Sequence, residues 1–151
     1  MADAVTLSTL TRGYRRALTR WMTGPRLSTD TDEAFMVIFE ALNWAVVVDK
    51  HFADERGRGW ARPFGKQDLI AGLRYARNAV HHDWADALEV TSGVLLPSPV
   101  PAPSFEWRWR RTLAATRQGG ESQYRANLAE QPVRFTLRAL DDLFIHTEAE
   151  G

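Results

Sequence analysis

The chain has 151 residues and a mass of 17.1 kDa, the size of one ordinary domain, long enough to bury about two thirds of the surface its unfolded form exposes. Hydrophobic residues at 44% and charged residues at 25% exclude a disordered, collagen-like or disulfide-scaffold chain, and the absence of cysteine excludes disulfides, zinc-thiolate sites, iron–sulfur clusters and thiol nucleophiles. The 19 cations balance 19 carboxylates, which excludes the strongly basic composition of a protein that coats nucleic acid.

The neutral total hides blocks: residues 1–29, 57–80 and 107–138 are net basic and the stretches between them net acidic. Nearly all the cations are arginine. That preference serves guanidinium contacts to phosphate, and it equally follows from the interchange of exposed cations in a GC-rich gene. The opening MADAVTLSTLTRGYRR lacks the basic start and long apolar run of a signal peptide, and no 18-residue apolar stretch occurs. A cytoplasmic location with no membrane partner is the expectation.

Apolar residues recur at spacings of three and four over most of the length, so the chain reads as helical. A first helix is expected from Ser8 to Met22, with Leu10, Tyr14, Leu18 and Trp21 on one side and Gly24-Pro25 as its stop. The second starts at Thr29, Asp30 or Thr31, with Asp32 and Glu33 near the positive end of its dipole. Its body, Ala34 to Val48, is apolar nearly all round, broken only by Glu40 and Asn43, and belongs at the centre of a bundle or under a second subunit. Glycine and proline make Arg56 to Pro63 a loop, and a third helix is expected from Lys66 to Thr91.

Residues 92–104 carry four prolines and predict an extended excursion over the surface. Phe105, Trp107 and Trp109 then alternate with Glu106, Arg108 and Arg110, the period of a short extended segment. Final helices are expected from Ser122 to Glu130 and from Pro132 to His146. The fold class is all-α: a bundle of four or five helices forming one domain over residues 1–151, with a Pro-rich insertion and a short extended Trp/Arg segment.

The third helix carries an anomaly. At about 100° per residue, Arg77 falls within about 60° of Ile70, Leu73, Val80, Trp84 and Leu88, inside the apolar arc. His81, Arg74, Asn78 and His82 follow beside it as one polar sector. A permanently charged guanidinium in a buried stripe must be paired or open onto a cleft, and Glu40 of the neighbouring helix is the simplest partner.

The string LRYARNAVHHDW, Leu73 to Trp84, resembles the signature of the HEPN superfamily: an arginine, commonly followed by a polar residue such as asparagine, and a histidine after four to six intervening residues. Arg77-Asn78 with His82 fits with four intervening residues, and Arg74 with His81 fits with six. Arginine–histidine spacing alone would arise by chance about 1.4 times in such a chain, whereas adding the asparagine lowers the expectation to about 0.03. His82-Asp83-Trp84 also resembles the family's histidine, small residue, aromatic ending. Some members carry a glutamate with a basic residue four positions on; here Glu40 is followed at that place by Trp44.

The resemblance implies a small helical bundle that dimerises and, in many members, a metal-independent ribonuclease of toxin or defence systems. Arg77, Asn78 and His82 are then the catalytic set, Arg74 and His81 the alternative register, and Glu40 and Trp84 supporting residues. An RNA substrate, a homodimer and an antitoxin or regulatory protein are the implied partners, with no cofactor and no metal. A histidine titrating near about 6.5 can take the proton of a 2′-hydroxyl while arginine holds phosphate oxygens. Asn78 stands at i−4 from His82 and can orient it. The alternative is a catalytically silent relative that binds RNA or protein.

Other ligand signals are weaker. His82 and Asp86 at i and i+4 lack an evident third metal ligand, and His51 and His146 read as surface or capping residues. Trp107 and Trp109 interleaved with Arg108, Arg110 and Arg111 make either a stacking platform for single-stranded RNA or a segment packed on the bundle with its arginines outward, since exposed tryptophan pairs are costly.

Overall fold

A computed structural model describes residues 3–82, 86–95, 103–113 and 119–150. Five α-helices and one β-hairpin make up the described fold: α1 (Asp3–Thr23), α2 (Thr31–Arg56), α3 (Gln67–His82), β1 (Leu88–Leu95), β2 (Pro103–Trp109), α4 (Glu121–Asn127) and α5 (Val133–Ala149). Short 3-10 turns at Pro25–Leu27 and Arg62–Phe64 stand where prolines preclude a continuing helix. The mostly helical bundle agrees with the composition and periodicity, and among the described residues no helix is long and apolar enough to cross a membrane.

α2 is the axis of the fold. Asp30 caps it by accepting the Glu33 N–H at 3.2 Å, and Gly57, at φ 90°, ends it by donating its N–H to Ala53. The helix packs against α1, α3 and α5, burying Phe35, Ile38, Leu42, Val48 and Phe52, as its apolar circumference requires. Its cover is nonetheless incomplete: Met36 is 66% exposed, and Phe39 and Val47 also reach solvent.

The third helix is shorter than its periodicity predicts. It ends at His82, and Leu88 to Thr91, expected as its last turn, form β1 instead. β1 pairs antiparallel with β2, setting Leu88 opposite Trp109, Val90 opposite Trp107 and Ser92 opposite Phe105, with a bulge between Ser92 and Val94. Part of the expected Pro-rich excursion is therefore a strand; its residues 96–102 lie outside the described set.

Both strand tryptophans point inward. Trp107 donates its indole N–H to the Pro25 carbonyl at 2.9 Å and Trp109 to the Thr136 hydroxyl at 2.9 Å, so the hairpin is pinned to the turn after α1 and to α5. Glu130, at φ 64°, turns the chain so that its N–H meets the Trp109 carbonyl, and Trp109 N–H returns to Gln131. The Tyr14 hydroxyl on α1 donates to the Leu137 carbonyl on α5, closing first helix on last.

All three tyrosines resist ionisation. Burial raises the Tyr14 phenol well above its ordinary range, with the Asp141 carboxylate adding to it; burial likewise raises Tyr124 and, against an opposing effect of Arg125, Tyr75. A folded-state pKa raised above the unfolded value of about 10 gives stability that is complete below pH 10 and lost as pH rises through the folded values. Urea midpoints should hold steady from pH 7 to 9 and fall above about 10, phenolate absorbance appearing together with loss of helical ellipticity. Tyr14→Phe should lower stability at neutral pH and flatten the alkaline decline.

Candidate functional site on the polar face of helix α3

Asp49, near the C-terminal end of α2, is 3% exposed and would be costly there without partners. It has three. Arg74 on α3 grips it with Nε at 2.7 Å and Nη2 at 2.8 Å, and Trp60 in the α2–α3 connection donates its indole N–H to Oδ1 at 2.9 Å. The fork geometry fixes the Arg74 guanidinium and ties two helices and a loop together.

One turn further along α3, Arg77 is half-buried. Its Nη1 donates to Asn78 Oδ1 at 3.3 Å, while its Nε–H is buried and meets no acceptor among the described residues. An amide-type N–H left so costs about 1–3 kcal/mol, and more when charged. Arg77 and Asn78 line a cleft of about 300 Å³ together with Lys50, Arg58 and the Asp49–Arg74 pair. Arg58 and Arg74 also line an adjoining depression of about 500 Å³, whose far wall is Gly119, Gly120 and Gln123. Among the described residues the only carboxylate lining either is Asp49, which Arg74 already neutralises, and Lys50 is shared with Asp54 outside the cleft. The surface that results is concave and positive, suited to an anion.

The two arginine–histidine registers fare differently. Arg74 is committed to Asp49, whereas His81 stacks on Phe39 with centroids 4.3 Å apart and stands 3.0 Å from Asn43 Oδ1 through Nε2. His81 lines a separate apolar depression with Met36 and Phe35, so Arg74 and His81 do not share a cleft. His82 is the last residue of α3, one turn beyond Asn78 on the same side of the helix; its side chain and Trp84 lie outside the described residues.

Glu40 does not receive Arg77. It pairs with Arg20 of α1, because at about 100° per residue it lies about 180° from Asp49 around α2 and faces the opposite neighbour. The stacking-platform reading of the Trp/Arg segment also falls, since Trp107 and Trp109 are 3% and 0% exposed. Of the arginines there, Arg108 donates to the Glu130 carbonyl, Arg110 to the Leu88 carbonyl, and Arg111 is exposed; none lines the Arg77 cleft. His146 is a surface residue as expected, but His51 is mostly buried, with Nε2 3.3 Å from Glu55 Oε1. Among the described residues no three His, Asp or Glu side chains gather as metal ligands.

Asp49, Trp60, Lys50 and Arg58 are the site residues that motif reading passes over. Asp49 had a signal: it lies within about 40° of Ile38, Leu42 and Ala45, inside the buried stripe of α2, where a carboxylate demands a cation. Compared with protein-family models, curated proteins and solved structures, the chain gives no match.

Asp49→Asn should cost about 3 kcal/mol in urea denaturation, the lower end for breaking a buried pair because Arg74 keeps some water. Asp49→Leu combined with Arg74→Met should recover more than half of that loss.

Proposed function

We propose that this chain is a metal-independent endoribonuclease of the HEPN type, acting in the cytoplasm as a toxin or defence effector. The observation that carries the reading is the buried Nε–H of Arg77, which meets no acceptor among the described residues, in a cationic cleft whose one described carboxylate is already spent. A phosphodiester oxygen satisfies that donor, and Arg77 is the arginine followed by asparagine in the Arg77-Asn78…His82 string.

In this mechanism Arg77 holds the phosphate and stabilises the charge that builds on its oxygens, and His82 takes the proton of the RNA 2′-hydroxyl. The 2′-oxygen bonds to phosphorus, the bond to the 5′-oxygen breaks, and that oxygen leaves with a proton from the second subunit's histidine or from water. The products are a 2′,3′-cyclic phosphate and a 5′-hydroxyl. Asn78, bonded to Arg77, orients the pair. The commitment of Arg74 to Asp49 favours Arg77 over Arg74 as the phosphate ligand and makes Arg74 a positioning residue.

A homodimer completes the site, with the Arg77 faces of two α3 helices approaching each other. The exposed Met36 and Phe39 beside His81 support it, since an apolar face at that end of α2 and α3 is what a second copy would cover. Sedimentation should give a dimer at micromolar concentration, and Met36→Glu should shift it toward monomer and lower cleavage with it.

The chemistry is tested with purified protein and a panel of single-stranded RNAs. Cleavage should persist in excess chelator, stop when the 2′-hydroxyl at the cut is replaced by hydrogen, and rise with pH through the ordinary histidine range before levelling. Arg77→Ala and His82→Ala should each lower the rate at least about 100-fold with the fold intact, and abolish toxicity on expression, while His81→Ala costs less. A dimer that binds RNA and leaves the whole panel uncut, with no cyclic-phosphate ends, is instead a silent binding module.

A further inference from the structure

The opposite side of α2 carries a second concave surface that the Arg77 chemistry does not use. Between α1 and α2 runs a groove of about 780 Å³ lined by Arg12, Gly13, Arg16 and Arg20 from α1 and by Glu40 and Trp44 from α2. Arg20 is paired with Glu40, and Arg15 at the rim with Asp141 at 3.2 Å. Arg12 and Arg16, four residues apart on one face and both exposed, have no carboxylate partner among the described residues. Two adjacent cations repel each other across a helix turn, a small cost that an anion in the groove would relieve.

Trp44 gives the groove its second character. A Cβ at Gly13 would stand 2.6 to 2.7 Å from three ring atoms of Trp44, so the indole lies with a face against the α1 backbone, where only glycine makes room. Trp60, Trp107 and Trp109 each donate their N–H to a buried acceptor. Trp44 is half-buried, lines the groove, and makes no such bond among the described residues. A rigidly held indole beside two uncompensated guanidiniums is the combination that binds a nucleotide strand: an aromatic surface for a base and cations for its phosphates.

We propose that the α1–α2 groove is a track for single-stranded RNA, in which Arg12 and Arg16 hold successive phosphates and Trp44 stacks a base. Along α1 the two arginines are separated by about 6 Å, comparable to the phosphate repeat of an extended strand. An acidic peptide would use the arginines and leave the indole idle, which is why the strand is favoured. The proposal deepens the ribonuclease reading and rests on it for the choice of RNA; it places a substrate-holding surface on the face of α2 away from Asp49.

The test uses the full chain and a fluorescent 2′-O-methyl decauridylate, which cannot be cleaved, with binding followed by anisotropy across a salt series. Arg12→Ala with Arg16→Ala should weaken binding about tenfold and reduce the slope of log affinity against log salt by about 1.4, two single-strand phosphate contacts at about 0.7 each. Trp44→Leu should weaken binding about tenfold with the slope unchanged, and Trp44→Phe should retain most of the affinity, which separates stacking from packing. Arg12→Lys with Arg16→Lys should keep the wild-type slope. Wild-type protein that does not bind the decamer, an unchanged slope in the double alanine variant, or folded Trp44→Leu protein with wild-type affinity overturns the track. So does decaglutamate displacing the RNA as well as unlabelled decamer does, which would mark an acidic-peptide surface. Binding through these residues without cleavage of any natural RNA sinks the ribonuclease reading alone, and cleavage indifferent to them sinks the track alone.

Discussion

Everything around the candidate site depends on one buried carboxylate. Asp49 sits where α2, the α2–α3 connection and α3 converge, and its two oxygens accept three hydrogen bonds from Arg74 and Trp60. A carboxylate there without those donors would be expelled toward water and would take the end of α2 with it. With them, it fixes the rotation of α3 about its own axis, and that rotation decides which side chains of the polar sector open onto the cleft. Arg77 and Asn78 do; His81, only 40° or so from Arg77 on the same helix, turns to Phe39 and Asn43 instead.

The bundle is asymmetric in its polar investment as well as its packing. α2 is apolar over most of its circumference, yet it carries Asp49 toward α3 and Glu40 toward α1, each neutralising one arginine of a neighbour that has more than one. What remains on both sides is net cationic surface bordering concave space. A chain with no net charge therefore presents two positive faces, because its carboxylates are placed at the blocks between them and at its C-terminal end.

Much of this fold is legible in the sequence, and what is not has a physical cause. The spacing of Leu10, Tyr14 and Trp21, the Asp30 cap and the Gly57 stop are local signals, and the helices they delimit lie close to where they predict. The inward alternation of Trp107 and Trp109 is equally local. β1 is not: Ala87, Leu88 and Glu89 continue the helical pattern of α3 with no glycine or proline to stop it, and only pairing with a tryptophan strand some twenty residues later makes Leu88 extended. At the site, the arginine–asparagine pair was legible as a motif, whereas its support was not. Glu40 was the conspicuous acid inside the apolar run, but the one that matters for α3 stands just beyond that run, half a helical turn away around the circumference. Choosing between them required the neighbours' positions, which no spacing rule supplies.

The bond from the Tyr14 hydroxyl to the Leu137 carbonyl joins residues 123 positions apart, and α1 finds its seat partly on α5. Such a contact cannot form while α5 is still inside the ribosome, and until then α1 rests on α2 without it, with Tyr14 and Phe144 lacking each other's rings. The Arg77 cleft, built from α2 and α3, is assembled within a frame that closes only once α5 has docked. A bundle with this connectivity acquires its working shape only after α5 has emerged and docked, and a chain truncated before α5 would expose the apolar face of α1 to the cell's proteases.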